Sequence, residues 1–367
     1  MAEEKEKPLT REDVLRLIQE NGGTADRLDL SGKVFEENID LRGFDLRGII
    51  LESAVFKFKL PEPPTGEHTK LGEDELLRGM GAHFEEANLS GAHLRGVKLE
   101  EAHLEKASLI NSDLEGAFLS RAHLERANLM YANFKRAQLN GANLEEADLS
   151  FADFAGAILG AAQLDGATLA ETNLDGTFLY LADLTRAYLS YPIRLSSNTD
   201  IQHVNWGNYV LGEEINGQFR WAEDTYRQLK TWYAEHGMSD IAAKFYYREM
   251  EARRKEAGWS WNPNWGRHRL ALEILRALFG YGEHWERVFY WMALVMFGSA
   301  AAYYLSGELN LLYSLYFSVI SFTALGYGKW VDITPPGWMQ ALGAFESFTG
   351  VFLMASLLLT FFRKWAR

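Results

Sequence analysis

The sequence predicts a multidomain chain: a β-helix of five-residue repeats, an α-helical linker, and an α-helical two-transmembrane domain with a re-entrant loop. Three observations predict it. A Leu or Phe returns at every fifth position from Phe84 to Leu189. Two stretches near the C-terminus, 288–305 and 337–362, are apolar and long enough to cross ~30 Å of hydrocarbon. Between them, an apolar run leads directly into Gly326-Tyr327-Gly328.

A chain of 367 residues has room for two or three units. The absence of cysteine excludes a disulfide framework, a thiolate metal site and a cysteine nucleophile. A net charge of −13 argues against nucleic acid as a partner, since phosphates call for basic surface. The first residues, MAEEKEKPLTRED, lack the apolar core of a signal peptide, so the segments ahead of the first apolar span are expected in the cytosol. A phosphate-binding glycine loop, an HExxH pattern and a nucleophile elbow are missing, and the chain is not read as an enzyme.

In chain order, residues 1–27 form a capping unit. Thr10 precedes REDVLRLIQENGG, a capped helix ending at Gly22 and Gly23. Residues 28–190 form the repeat unit. Two residues before each Leu or Phe sits a compact residue, usually Ala (Ala82, Ala87, Ala92), otherwise Val97, Ser112, Thr172 or Thr177. A period of five fits neither a helix nor a flat strand, so it marks a stacked repeat. Residues two apart on extended chain share a side, so both point inward and the chain turns after each unit into a square coil. At ~4.8 Å per coil the stretch makes a rod of roughly 25 Å. His83, His93, His103 and His123 precede the Leu or Phe, an outward position where solvated histidines are expected. Leu30, Phe35, Leu41, Leu46, Leu51 and Phe56 start the pattern with one slip, and 57–81 is an exposed, proline-containing insertion.

This repeat resembles the pentapeptide-repeat family. The resemblance implies a right-handed quadrilateral β-helix with four repeats per coil. Some members are acidic rods similar to DNA in shape; the acidic face here (Glu85, Glu86, Glu100, Glu101, Glu145, Glu146) is read as a solvated scaffold surface, on which an unknown cytosolic ligand or protein can dock.

Residues 191–283 form the linker. Trp221, Thr225, Leu229 and Trp232 fall at helical spacing, as do Ile241, Phe245 and Met250, with Gly237 and Ser239 between them. The pair is a helical hairpin similar to one tetratricopeptide unit. Trp259, Trp261 and Trp265 suit a membrane headgroup layer, and 270–281 is amphipathic enough to lie along it.

Residues 284–367 form the membrane domain. Basic residues cluster before the first span (Arg253, Arg254, Lys255, Arg267, Arg269, Arg276, Arg287) and after the second (Arg363, Lys364, Arg367), which places both termini in the cytoplasm. The intervening 306–336 is too apolar for an ordinary outside loop. Its run 311–322 suits a half-membrane helix, and non-helical backbone directly after it is tolerated at that depth only where it lines a polar cavity or is buried in protein. The order span, half-helix, GYG, span resembles the two-transmembrane, pore-loop potassium-channel family.

The resemblance implies a homotetramer in the lipid bilayer, whose selectivity filter coordinates K+ or other monovalent cations through the backbone carbonyls of Thr323, Ala324, Leu325, Gly326, Tyr327 and Gly328, with no other cofactor. The chain departs from the family pattern at Ala324, where a Thr hydroxyl would complete the innermost ion site. It departs again at Lys329, where the mouth carries an acid; Asp332 is the displaced candidate. These departures question strict potassium selectivity. Glu346 is the one acid in the second span, either a ring of carboxylates near the pore or a hydrogen-bonded brace. Gly350 resembles the family's hinge glycine, with Gly343 as the alternative bend and close helix packing as the other explanation for both. The fusion suggests a bacterial inner membrane. The alternative function is a membrane-anchored interaction scaffold with a non-conducting pore-like domain.

Overall fold

The computed structural model describes residues 7–37, 39–56, 81–190, 194–257, 263–323 and 336–365. The chain divides into two compact units, Met1–Gln228 and Leu229–Arg367.

The first unit opens with helix α1 (Arg11–Glu20). The Thr10 hydroxyl accepts from the Asp13 amide while the Asp13 carboxylate accepts from the Thr10 amide, a reciprocal N-terminal cap. Leu9 bridges to Phe35 in β1 (Val34–Phe35), which pairs in parallel with β2 (Val55–Phe56). Later rungs are single parallel bridges between residues twenty apart: His83 with His103, Ser108 with Asn128, Gln138 with Ile158. One coil therefore holds four five-residue units, and the whole is a β-helix. Asp40, Asp45 and Ile50 pair with His83, Asn88 and His93, so the coils on either side of the insertion are neighbours. Residues 57–80 of that insertion lie outside the described residues.

Each unit turns in the same way. The Ala87 amide bonds back to the Phe84 carbonyl at 2.9 Å, and the third turn residue is left-handed, at φ 60° for Glu86 and 67° for Gly91. Glycine adopts this freely, whereas other residues incur about 1–2 kcal/mol. Two bonds offset that cost. The left-handed residue donates to the next coil, as from Glu86 to the Glu105 carbonyl at 3.0 Å. An Asn or Asp just before the Leu accepts from the amide two residues on, as Asp148 does from Ser150 at 3.0 Å. Inside, the Leu, Phe and Ala positions are buried, and Phe134 stacks on Phe154 with centroids 4.7 Å apart. Where Thr replaces Ala, its hydroxyl finds a carbonyl of the preceding coil: Thr172 donates to Leu149 and Thr177 to Phe154, both at 2.9 Å.

The ladder runs past 190, the boundary expected from the five-residue step. Asn173 pairs with Arg194, Phe178 with Asp200 and Asp183 with Asn205, and Ile201 and Trp206 are buried. Bridged residues here lie twenty-one or twenty-two apart in place of twenty, which destroys the period while the ladder continues. Helix α2 (Gly212–Ile215) then ends it. The buried Glu213 carboxylate accepts from the Leu189 amide at 2.6 Å and from the Ser190 amide, standing where the carbonyl of a further coil would be. Burial pushes this carboxyl above its ordinary range, against the pull of the amides.

Helix α3 (Phe219–Glu235) spans the division between the units. In the second unit its last turns face α4 (Ser239–Glu256) across Gly237. Lys230 pairs with buried Glu249 at 2.6 Å, and Tyr233 stacks on Phe245. Helix α5 (Pro263–Phe279) contains the amphipathic stretch: Leu272 packs with Met250 and Tyr281, while Leu270 and Ile274 are exposed. Trp259 and Trp261 lie outside the described residues.

Helices α6 (Trp285–Leu305) and α8 (Gly337–Trp365) contain stretches, Glu286–Leu305 and Gly337–Phe362, long and apolar enough to cross a membrane by length and composition. Helix α7 (Leu311–Thr323) has 13 residues and is roughly 20 Å long, too short to cross.

Candidate functional site

The three apolar helices pack on one another through two clusters. Tyr303, Leu309, Phe317 and Met339 form one; Phe279, Val288, Phe322 and Leu353 form the other. Helix α7 starts where the Asn310 side chain accepts from the Tyr313 amide at 2.9 Å, a side-chain N-cap. Its buried residues Ser314, Ser318 and Ser321 recur at helical spacing and let the neighbouring helices approach closely.

Between the clusters sits Glu346, wholly buried on α8. Its carboxylate accepts from the Tyr303 hydroxyl of α6 at 2.8 Å and from the Ser318 hydroxyl of α7. Ser318 also lies 2.7 Å from the Met296 carbonyl. One carboxylate thus ties three helices together, in a position away from open space within the single chain. The sequence singled out Glu346 but not Tyr303 or Ser318, which are 43 and 28 residues away and carry no spacing signal.

Thr323 ends α7, and its hydroxyl is spent on its own helix, donating to the Val319 carbonyl at 2.8 Å. Ala324, Leu325, Gly326, Tyr327, Gly328, Lys329 and Asp332 lie outside the described residues. Gly350 packs where α8 meets the end of α7: a Cβ there would overlap the Phe322 carbonyl oxygen. Nearby, Ser347 donates to the Ser321 carbonyl at 2.6 Å. Gly343 is buried within the same helix.

A polar network lies at the start of α6. The Glu251 carboxylate takes Arg254 at 2.9 Å, Arg276 at 3.2 Å and the Tyr281 hydroxyl at 3.0 Å, and Arg254 reaches on to Glu273 at 2.8 Å. Burial and the neighbouring Glu251 push the Tyr281 hydroxyl well above its ordinary range, so it stays protonated and donates. Tyr281 sits in a tight elbow between α5 and α6 with φ 57°, flanked by Gly280 and Gly282 at 50° and 87°. A left-handed tyrosine is strained, and its buried hydrogen bond holds it there. Arg287 donates to the Arg276 carbonyl at 2.8 Å and Trp291 to that of Ala277 at 3.0 Å, fastening the elbow to the foot of the membrane helix. Tyr246, Met250, Phe279, Tyr281, Leu359 and Thr360 line a cleft between this elbow and the last turns of α8. In sequence the basic residues of this network mark only the cytosolic side of the first span; that Glu251 and Glu273 gather them is shown by the fold.

Comparison with known proteins fits this division. The pentapeptide-repeat family matches residues 80–116, 107–145 and 162–191, in 8 copies. The ion-channel family matches residues 290–366. No curated protein matches the chain. Among solved structures, trypsin-treated QnrB1, a plasmid-mediated fluoroquinolone resistance protein, is 22% identical, covering 53% of this chain and 89% of its own, with a TM-score of 0.31. HetL, a pentapeptide-repeat protein involved in heterocyst differentiation regulation in the cyanobacterium Nostoc, is 26% identical over 54% of this chain and 93% of its own, with a TM-score of 0.24. The chain therefore joins pentapeptide repeats to a two-transmembrane, potassium-channel-like ion-channel domain in its C-terminal region.

Proposed function

We propose that the chain is the subunit of a homotetrameric cation channel. The observation that carries this reading is the short helix α7, held between two membrane-length helices and running straight into Ala324-Leu325-Gly326-Tyr327-Gly328. A re-entrant loop in that place brings four sets of carbonyls, from Thr323 to Gly328, around one axis, where they replace the water shell of K+ or another monovalent cation. Four chains are needed because one chain supplies one loop. Ala324 removes a side-chain ligand and Lys329 adds positive charge at the mouth, so the ion ranking departs from strict potassium preference.

Glu346 braces the loop from behind through Ser318 and Tyr303. Gly350 sets the closeness of α8 to the filter helix and is the point where α8 bends in gating, with Gly343 as a secondary one. Residues 284–367 form the pore, and the helices from α3 to α5, within the 191–283 stretch, form the coupling linker. The rod, capped by 1–27, starts at 28, runs past 190 to its closing helix α2, and is right-handed and four-sided. Both termini are cytoplasmic, in a bacterial inner membrane. The Glu251–Arg254–Tyr281 network and the elbow make the linker stiff, and its cleft touches the cytosolic end of α8, so movement of the linker biases the pore. A ligand on the rod acts only by binding the open and closed states differently.

The test is ion flux from liposomes holding the purified protein, with potassium, sodium and caesium gradients compared and Gly326→Asp as the control. Flux that the substitution abolishes or makes unselective is the expected result. No flux at any pH, from a protein that is monomeric in detergent, overturns the channel reading in favour of a scaffold.

A further inference from the structure

Away from the pore, one short pattern recurs three times, one coil apart: His83 with Glu85, His103 with Glu105, His123 with Glu125. The bridges that pair His83 with His103 and His103 with His123 stack the three rings. Their centroids are 4.7 Å apart at both steps, with planes within 9° and 3°. The expectation of solvated histidines is therefore corrected: His103 is only 8% exposed, covered by the coils on both sides. Exposed His93, on another side of the coil, takes no part.

In each pair the imidazole Nδ1 lies against the glutamate Oε1, at 2.9, 3.0 and 3.4 Å. The second oxygen, Oε2, of Glu85, Glu105 and Glu125 is buried and has no hydrogen-bond partner among the described residues. A buried carboxylate oxygen in that state is costly, because it has given up water and gained no donor. Three of them in register on one face call for a cation. The neighbouring basic side chains are committed elsewhere: Arg121 to Glu101 at 2.7 Å, Arg95 to Glu115 at 2.7 Å, Lys106 to Glu86 at 3.5 Å. The ligand atoms of His83, Glu85 and His103 all fall within 4.8 Å of one another, and so do those of Glu105, His123 and Glu125.

We propose that this His–Glu ladder binds divalent transition-metal ions of the zinc class. The metal takes the place of the proton shared within a His–Glu pair and draws in the orphaned oxygens. Imidazole nitrogen with carboxylate oxygen is a donor set such ions favour. A tetrahedral ion with bonds of ~2.0–2.2 Å holds its ligand atoms roughly 3.3 Å apart, so paired donors already at 2.9–3.4 Å need little movement. The bound ion joins coils whose ligands are twenty residues apart in the chain, and so clamps the rod. The site is independent of what the pore conducts.

The test uses full-length, detergent-solubilised protein freed of any polyhistidine tag. Zinc chloride is titrated by calorimetry and cobalt chloride by visible absorption. Saturable zinc binding, the absorption bands of low-coordinate cobalt and a zinc-dependent rise in melting temperature are expected. The double variant His83→Gln/His123→Gln is expected to lose at least tenfold in affinity and the melting shift, whereas His93→Gln keeps both. If circular dichroism shows the double variant unfolded, Glu85→Gln/Glu125→Gln takes its place with the same expectation. Wild-type protein that takes up neither ion, or ladder variants that bind as tightly as wild type, overturn the proposal.

Discussion

The two regions of this chain bury apolar surface in opposite ways. In the repeat unit almost every inward Leu, Phe and Ala is covered by the same chain, and each coil is the solvent shield of its neighbours. In the channel domain large apolar side chains stay open in the single chain: Leu305 is 81% exposed, Phe348 77% and Leu312 76%. Their surroundings are supplied from outside, by lipid and by other subunits, since an ion-channel domain works in a membrane and as an assembly. The rod is thus complete as one chain, and the pore domain is not. The lesson extends to polar groups. The rod satisfies its last rung internally, with the Glu213 carboxylate in place of a carbonyl, whereas in the channel domain the Glu346 carboxylate joins three helices through Tyr303 and Ser318.

This contrast can be broken experimentally, starting where the effect is largest. Leu139, wholly buried between coils, is expected to cost about 2–5 kcal/mol when changed to Ala, read as a shift in the urea midpoint of the rod's unfolding. A loss below 1 kcal/mol would mean the coils repack around the void, and the view of the rod as a close-packed stack would fail.

Next comes Glu346. Changing it to Ala removes the acceptor that Tyr303 and Ser318 share, while Ser318 keeps the Met296 carbonyl, and a loss of about 1–3 kcal/mol is expected. Glu346→Gln keeps an accepting oxygen and is expected to lose much less. Thermal stability of the detergent-purified protein separates the two; equal losses would argue that the charge, not the brace, matters.

Glu213 gives a smaller, pH-dependent effect. Its carboxyl is raised by burial above its ordinary value of 4.5. A group shifted upward on folding stabilises the fold below its unfolded value, and that contribution fades as pH rises through the folded one. The melting temperature of the rod is therefore expected to fall as pH climbs above 4.5, and Glu213→Gln is expected to flatten that slope. A slope unchanged in the variant would assign it to other groups.

The smallest effect sharpens the contrast. Phe348→Ala is expected to change the stability of the single chain by less than about 0.5 kcal/mol, because the ring touches little of its own chain. What it changes instead, if it faces another subunit, is the fraction assembled, measured by mass photometry in detergent.

Much of this was legible in the residues alone. A five-step period needs only local chemistry to declare itself, because each unit is buried by its neighbours in the same register. Helix α1 was visible in Thr10 and Asp13, and α7 in the abrupt change from apolar run to Gly326-Tyr327-Gly328. The last coils were not visible, because one or two extra residues per coil erase the period while the bridges continue. The histidines were visible as outward, and the His-X-Glu repeat stood at twenty-residue intervals for anyone counting by coils and not by units.

The residues alone specify the elements whose signal is local and repeated: the stacked coils, the capped helix, the two membrane-length helices and the short one between them. Which polar groups meet is settled by the packing of the folded chain. That Glu346 reaches Tyr303 and Ser318, that Glu251 gathers Arg254, Arg276 and Tyr281, and that three histidines stack with three orphaned carboxylate oxygens are facts about side chains distant along the chain. Periodicity records which side of an element faces inward. It does not record which partner waits there, because a hydrogen bond depends on positions to a few tenths of an ångström, and those are set by the packing of the whole domain.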